Sequence, residues 1–471
     1  MANIIIWTGI ERDQFLVRAG GAYQLASYLR KHGYTVKIID FCRHIPTNDL
    51  IKITEKYIDR DTYAIGVSST FWKTLEDSFD INNTPKNGGA HEPDWVINAR
   101  DVIESLHPHV KWVLGGANSY STILKKEWIK FHLYAEDALL NWLNDCSKNP
   151  ARQSTFDIKD NVKYYDKSDF IEPYEFLQLE LGRGCIFKCK YCSFPNIGKK
   201  PGTYLRCYDD LRKEVIENYE KWGVTRYYYT DDTVNESEEK VLMLLKLAQS
   251  LPFKIEWIGY CRADLIWSRP HTANWLLDSG MISTDFGIET FNPKSSKIIG
   301  KGWSGNHGKE WLLKIKEDWK NKCSMELLMI SGLPGWSEKE YNDDHDWLRN
   351  NNIDSYWFFP LYINPNFGTK GYHSEFDLNY KKYGYWFEEG DTINWKFDGY
   401  DRQYIKKIEN DRRKKYSEYM KIAGFYLGDV ASLGYSVDEL RNKRTCDFNW
   451  TELESRKINF VKNYIKRNLE L

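Results

Sequence analysis

Four short apolar runs rich in β-branched residues open the chain, at 3–7 (NIIIW), 35–40 (TVKIID), 63–69 (YAIGVSS) and 110–116 (VKWVLGG). Helix-period segments lie between or after them, at 20–33, 49–60, 92–107 and 136–145. Nearly continuous hydrophobic strands alternating with helices predict an α/β fold with a parallel sheet covered on both faces. A second series places strands at 176–182, 225–231, 254–260, 282–289, 324–331 and 354–362, with helices at 208–222, 236–250, 271–280, 307–320 and 337–350. Repeats of this length suit a partial or full βα barrel better than a second open sheet, and barrel chemistry gathers at the C-terminal ends of the strands. The polar, Asn- and Gly-rich stretch 74–94 reads mostly as an insertion loop. Beyond about residue 363 the alternation stops. A turn-rich aromatic segment is followed by 401–427, which reads as one long amphipathic helix with a solvated charged face. The chain divides into 1–150, a linker at 151–175, a barrel at 176–362 and a C-terminal region at 363–471.

Composition narrows the function. The formal net charge of 471 residues is -1, so no dominant field for nucleic acid or an anionic membrane is indicated. No apolar stretch reaches the roughly 20 residues that span a bilayer, and the N-terminus carries no secretory signal. Nine cysteines are an odd number and six are scattered singly, at 42, 146, 207, 261, 323 and 446, which predicts a reducing cytoplasm rather than a disulfide framework.

The other three cysteines fall within eight positions, in GRGCIFKCKYCSFP (182–195), directly after the first strand of the second series. Three readings compete. Zinc needs four ligands, usually in pairs, and His44, His91 and His107 belong to the first domain. A redox C-x-x-C uses Cys189 and Cys192 and leaves Cys185 unexplained. A [4Fe–4S] cluster held by Cys185, Cys189 and Cys192 would leave one iron without a protein ligand, open to a small molecule.

C-x3-C-x-aromatic-C after LELGRG resembles the radical S-adenosylmethionine superfamily. The order RGCIFKCKYC, TDDT (230–233), CRAD (261–264), GIET (287–290) and SGLPGWSE (331–338) resembles its subgroup with an N-terminal cobalamin-binding domain. The resemblance spans residues 1 to about 345. It implies that the open iron chelates S-adenosylmethionine, whose reductive cleavage yields a 5'-deoxyadenosyl radical that abstracts hydrogen from a substrate carbon. It also implies an electron donor such as flavodoxin or ferredoxin. Roles follow by position. Tyr191 would pack near the adenine, Asp231 or Asp232 would accept from the methionyl ammonium or the ribose, and Arg262 would pair with the methionyl carboxylate. Glu289 would meet the ribose or the ammonium, and Gly332, Leu333 and Gly335 would bring backbone close to the adenine. Arg262–Asp264 could instead be a structural ion pair, Asp231–Asp232 a loop cap, and Cys261 either a hydrogen-atom donor or a small buried residue.

The first domain resembles the Rossmann-like cobalamin-binding domain. GVSST (66–70) and LGGANS (114–119) match its serine-bearing and double-glycine loops, which assigns Ser68, Ser69, Thr70, Gly115 and Gly116 to the corrinoid. LYAEDALLNWL (133–143) resembles a GEGE-type segment in which only Glu136 keeps an acidic position. The stretch 9–21 lacks the histidine that ligates cobalt in part of the family, and Phe71 and Trp72 are bulky where the corrin would lie.

Three functions compete: a cobalamin-dependent radical methyltransferase; a cobalamin-independent radical enzyme for oxidation, cyclisation, rearrangement or sulfur insertion on a vestigial scaffold; and a non-catalytic iron–sulfur or zinc protein. The substrate is a small or nucleotide-linked molecule. The tail 401–471 is basic by about five charges, compatible with an anionic substrate or with a solvated face.

Overall fold

The structure, a computed structural model, describes residues 2–10, 16–70, 72, 92–116, 119, 124–131, 135–145, 162–192, 205–301, 305–365 and 373–471. The first sheet is parallel throughout, with β1 (Ile4–Trp7), β2 (Val36–Ile39), β3 (Ala64–Ser68), β4 (Lys111–Gly115) and β5 (Ile129–Lys130) in the order β2-β1-β3-β4-β5. Alternate side chains divide its two faces. Ile5, Trp7, Ile65 and Trp112 pack with Leu50, Ile53, Val96 and Ile103 of helices Thr47–Tyr57 and Asp94–Leu106. Ile4, Ile6, Ala64 and Val113 share a core with helices Gly20–Lys31 and Glu136–Asn144 and with the second sheet. β5 has no counterpart in the sequence reading, because two residues carry no periodicity. Of the expected insertion at 74–94, residues 74–91 lie outside the described residues, and Asp94 already opens a helix.

The second sheet has six parallel strands: β6 (Phe176–Leu179), β7 (Arg226–Tyr229), β8 (Glu256–Cys261), β9 (Met281–Glu289), β10 (Ser324–Ser331) and β11 (Ser355–Pro360). Their order is β11-β10-β9-β8-β7-β6, an open βα barrel, so the anticipated α/β class holds for both sheets. Leu177, Tyr227, Trp257, Phe286 and Leu327 face the outer helices, while Phe176, Tyr228 and Ile258 face the lumen. Two helices, Ala263–Ser268 and Pro293–Ile299, are too short to show in a periodicity search. The second is set by local chemistry: the Asn292 side chain accepts from the N–H groups of Lys294 and Ser295, and Pro293 fills the first turn.

The C-terminal region departs from expectation. Residues 401–427 are not one helix. Helix Arg402–Tyr416 ends in a 3-10 turn at Ser417–Tyr419, and a new helix, Gly424–Ala431, enters the barrel lumen. Tertiary packing decides the break. The Gly424 N–H donates to Ser283 Oγ on β9 at 2.7 Å, and a Cβ on Gly424 would lie 2.1 Å from Asp285 Oδ1. One turn later Gly428 lies against the Tyr228 ring. The last helix, Trp450–Glu470, returns to the first sheet, where the Asp40 N–H donates to the Tyr464 hydroxyl at 2.9 Å. The region 363–471 therefore closes the barrel and braces the first sheet rather than standing apart. Among the described residues no helix is long and apolar enough to cross a membrane.

Gly424 has a φ of 60°, in the left-handed region that favours glycine. Gly424→Ala should therefore destabilise the fold by more than about 1 kcal/mol, combining backbone strain with a clash against Asp285. Gly434→Ala, at φ 85° with its nearest neighbour at 3.5 Å, should lose only the backbone part. Urea denaturation of the two variants beside the parent measures the difference.

Candidate functional site

The cysteine loop begins two residues beyond β6 and is pinned from several sides. The N–H groups of Leu181 and Gly182 both donate to the Asp231 carboxylate, each at 2.9 Å. Arg183 pairs with Glu180 at 2.9 Å and with Glu136 of the first domain at 2.5 Å. The Lys190 N–H donates to the Ile299 carbonyl at 3.0 Å, and the Phe376 N–H to the Lys190 carbonyl at 3.0 Å. Each fixed point comes from a different element, so the loop inherits the rigidity of the barrel rim.

The thiols sit among the strand ends. Cys189 is buried, and Cys185 and Cys192 are half-buried. Cys185 Sγ lies 3.6 Å from the Thr233 hydroxyl, after β7. Arg262, after β8, donates Nη1–H to Cys189 Sγ at 3.5 Å. Burial pushes the Cys185 thiol up. A metal would supply the charge that deprotonates it. Among the described residues no three His, Cys, Asp or Glu side chains gather as they would around a single ion. Three thiols on one loop, with a guanidinium donor at one sulfur, fit a cluster with one open iron.

The remaining rim residues divide into two groups. Tyr191, Arg262 and Glu289 come together around the cysteine loop. The Tyr191 hydroxyl donates to Glu289 Oε1 at 2.5 Å. Burial, reinforced by Glu289, raises the Tyr191 phenol well above its ordinary value, so it stays a donor. Glu289 has a φ of 67°, a left-handed backbone at the end of β9. Non-glycine residues in this region are concentrated at functional sites. Arg262 lies 4.1 Å over the Phe187 ring and holds Asp264 bidentately at 3.0 and 2.6 Å. Burial opposes its charge, but the Asp264 pair and Cys189 outweigh that and raise its pKa. The ion pair with Asp264 and the place beside the cluster loop are thus both real features of Arg262.

The second group is engaged in holding the fold. Asp231 is fully buried; besides the two backbone donors it accepts from Lys240 Nζ at 2.6 Å. It anchors the loop from below instead of reaching a methionyl ammonium, which leaves the half-buried Asp232 as the acidic side chain of that pair on the rim. Gly332, with φ 84°, is glycine because a Cβ would meet the Trp395 ring at 2.6 Å. Its carbonyl accepts from the Tyr385 hydroxyl, and that of the buried Leu333 from Tyr400. Gly335 faces Ser295. The C-terminal region packs Gly332 and Leu333, which corrects the expectation that these two open backbone to an adenine; Gly335 lies outside that packing. Cys261 is fully buried on the outer face of β8, its thiol pushed up to about 12 by burial, so it is a packing residue and not a hydrogen-atom donor.

Lys301 is a rim residue that the sequence reading did not single out. Its ammonium donates to the Gly287 carbonyl at 2.7 Å and lies 3.3 Å from Glu289 Oε1. No spacing rule points to it; it becomes visible only when the loop after helix Pro293–Ile299 folds back on β9.

In the first domain the two loops meet. The Ser69 N–H and hydroxyl both donate to the Gly115 carbonyl at 2.8 Å, and Ser69 is fully buried. A Cβ on Gly116 would lie 2.4 Å from the Thr70 hydroxyl. Ser69 therefore ties the loops together and does not line the cavity, which corrects its assignment, whereas Gly116 stays on the cavity wall, where a side chain would collide with Thr70. Ser68, Thr70 and Gly115 line a cavity of about 450 Å³ between the sheets, and a Cβ on Gly115 would meet nothing within 4 Å. Phe71 lies outside the described residues. Trp72 is buried on the opposite face of the sheet, with Trp7 and Trp112, and does not fill the cavity.

Cys185→Ala, Cys189→Ala or Cys192→Ala should abolish the iron content of anaerobically reconstituted protein; a triple variant that kept its iron would sink the assignment. Glu289→Ala and Arg262→Ala should keep the iron and weaken S-adenosylmethionine binding by about 10- to 150-fold, the loss of one charge-assisted contact. Lys301→Met should do the same through Glu289, with Lys301→Arg closer to the parent. Iron analysis and equilibrium dialysis on the same samples distinguish these outcomes.

Residues 179–348 match the family model described as the radical SAM superfamily. No curated protein matches the chain. Among solved structures, the radical S-adenosylmethionine methyltransferase TsrM from Kitasatospora setae, with cobalamin and a [4Fe–4S] cluster bound, superposes with a TM-score of 0.56 at 13% identity, over 80% of this chain and 74% of that one. The cobalamin-dependent S-adenosylmethionine radical enzyme OxsB, with aqua-cobalamin bound, superposes with a TM-score of 0.50 at 15% identity, over 81% of this chain and 56% of that one. At these identities the likeness establishes the fold. Residues 179–348 are thus a radical S-adenosylmethionine domain, which implies a [4Fe–4S] cluster and S-adenosylmethionine, and the chain as a whole has the fold of TsrM and OxsB.

Proposed function

We propose that the chain is a cobalamin-dependent radical methyltransferase. One observation carries the reading: a single cavity runs from the Ser68–Thr70 and Gly115 loops to Arg183 and Thr230 on the barrel rim, two residues before Cys185. In open α/β sheets ligands lie beyond the carboxyl ends of the strands, which is where β3 and β4 deliver these loops. The residues fit a corrinoid. Gly21 and Gly115 leave open space, and Ala64, Gly66 and Val113 give the sheet face low relief. When bound, the three cofactors supply radical formation and a methyl carrier; the protein supplies placement.

The chain's own residues would act as follows. The three thiols hold the cluster, and Arg262 steadies Cys189. Tyr191, Glu289 and Lys301 form one hydrogen-bonded unit at the S-adenosylmethionine side of the loop. Arg183 and Glu136 tie the corrinoid domain to that loop, so the two cofactors keep one mutual position. Residues 9–21 hold no histidine, so this stretch would offer a bound corrinoid no imidazole ligand. Arg18, which lines the cavity there, is engaged with Glu175 and Asp40. TsrM has also been solved with a tryptophan substrate and a SAM analogue, and a small-molecule substrate is the reading for this chain as well. Electrons would come from a flavodoxin or ferredoxin, in the cytoplasm, where the unpaired cysteines stay reduced.

Hydroxocobalamin titrated into the reconstituted protein should bind at micromolar concentration and show a base-off absorption spectrum. Gly115→Leu should abolish that binding with the iron content unchanged. Turnover should release both 5'-deoxyadenosine and S-adenosylhomocysteine. A parent protein that binds no corrinoid yet forms 5'-deoxyadenosine would instead be the cobalamin-independent radical enzyme on an inherited scaffold.

A further inference from the structure

The cavity has a second end. Beyond Thr230 it is walled by Tyr228 and Tyr260 of β7 and β8 and by Phe425 and Asp429 of helix Gly424–Ala431. Phe425 stacks on Tyr228, with centroids 5.3 Å apart and planes at 18°, and lies against Tyr260 at 4.7 Å and 33°. The Tyr228 hydroxyl donates to Asp429 Oδ1 at 2.8 Å, which locks the strand to the helix and fixes the stack. Tyr260 belongs to a central strand yet keeps 38% of its surface exposed. A rigid ring held by a neighbouring stack, with area left open in a cavity, is a platform for another flat group.

Charge at this end is one-sided. Asp429 is part of the wall, and Glu180 lines the adjoining stretch. Among the described residues three cations line the cavity, and each is engaged with protein groups. Arg18 holds Glu175 and Asp40, Arg183 holds Glu136 and Glu180, and Lys163 donates to the Gln178 carbonyl. A phosphate or carboxylate placed here would meet carboxylates and would have to displace an existing protein partner to gain one of these cations. Ring faces, by contrast, attract both other rings and ammonium groups.

We infer that the barrel end of the cavity is the substrate subsite, and that it takes a flat aromatic group borne by a neutral or cationic molecule, not a nucleotide-linked or otherwise anionic one. The assignment rests on the radical enzyme reading above, since it places the substrate beside the cofactors of that reading. Helix Gly424–Ala431 thereby becomes the element that sets specificity, and Tyr260 and Phe425 the residues that select the ring.

Three matched probes test this on the full-length, cluster-loaded protein by equilibrium dialysis: 2-phenylethylamine, 2-cyclohexylethylamine, which lacks the π face, and 3-phenylpropanoate, which reverses the charge. The phenyl amine should bind more tightly than either, by roughly 2- to 10-fold over the cyclohexyl amine. Tyr260→Leu, at a half-open position, should bring that ratio near one, as should Phe425→Leu. Equal retention of the cyclohexyl amine overturns the aromatic selection. Equal or tighter retention of the propanoate overturns the charge selection. Retention of none at millimolar concentration overturns the subsite. Iron content and hydroxocobalamin binding read on the same samples keep failure of the subsite distinct from failure of the proposed function.

Discussion

The guanidinium of Arg18 holds the two halves of the molecule in register. It donates to both carboxylate oxygens of Glu175 at 2.6 and 2.9 Å, to Asp40 at 3.1 Å, and to the Asp169 and Phe170 carbonyls at 2.9 and 3.1 Å. Asp40 ends the second strand of the first sheet, and 169–175 is the connector that leads into the barrel. Burial opposes the charge of Arg18, but Glu175 and its other partners hold the pKa well above the ordinary value. Such a group is weak evidence for net stability, because desolvation offsets much of the attraction. Its effect is geometric. With every direction of the planar fork matched, the first sheet can sit over the barrel in one way, and breaking any partner leaves a buried charge. The cavity between the sheets, with Arg18 on its wall, exists because of that fixed seating.

The same logic recurs at the barrel. A six-stranded parallel sheet leaves an open lumen, whose floor must be closed by something that satisfies polar strand residues there. Helix Gly424–Ala431 does so through Tyr228–Asp429 and the contact of Gly424 with Ser283, while Glu326 accepts from Ser355 and Trp357 at 2.7 Å each. Radical chemistry needs a site from which stray water and hydrogen donors are kept away. Here the closure comes from the C-terminal region on one side and the first domain on the other. The cysteine loop is held by contacts from both, through Phe376 to Lys190 and Glu136 to Arg183.

Much of this was legible in the chain. Apolar runs with turn signals place ten of the eleven strands in the two parallel sheets, because a strand buried on both faces must be hydrophobic along its whole length. The cysteine spacing marks the working loop, because thiols are rarely grouped without a ligand to hold. Less legible was what each motif side chain does. TDDT and GLPG are visible as motifs, yet Asp231 turns inward to two backbone N–H groups and Lys240, and Gly332 admits Trp395. An exposed and a buried carboxylate look alike in a string of letters. The distinction depends on which way the chain turns after a strand, and on what packs there from elsewhere.

The sequence by itself determined the alternation of strands and helices, the three-thiol loop after β6, the absence of a histidine from 9–21 and the family that its motifs resemble. All are local patterns, set by residue type and spacing. Only the tertiary structure decided that Tyr191, Glu289 and Lys301 form one unit, that Ser69 serves the loops and not a ligand, and that residues 401–427 break so that Gly424 can approach Asp285. Those outcomes join residues from about 10 to more than 100 positions apart, and a helix that would be continuous by propensity gives way when its interruption closes a barrel floor.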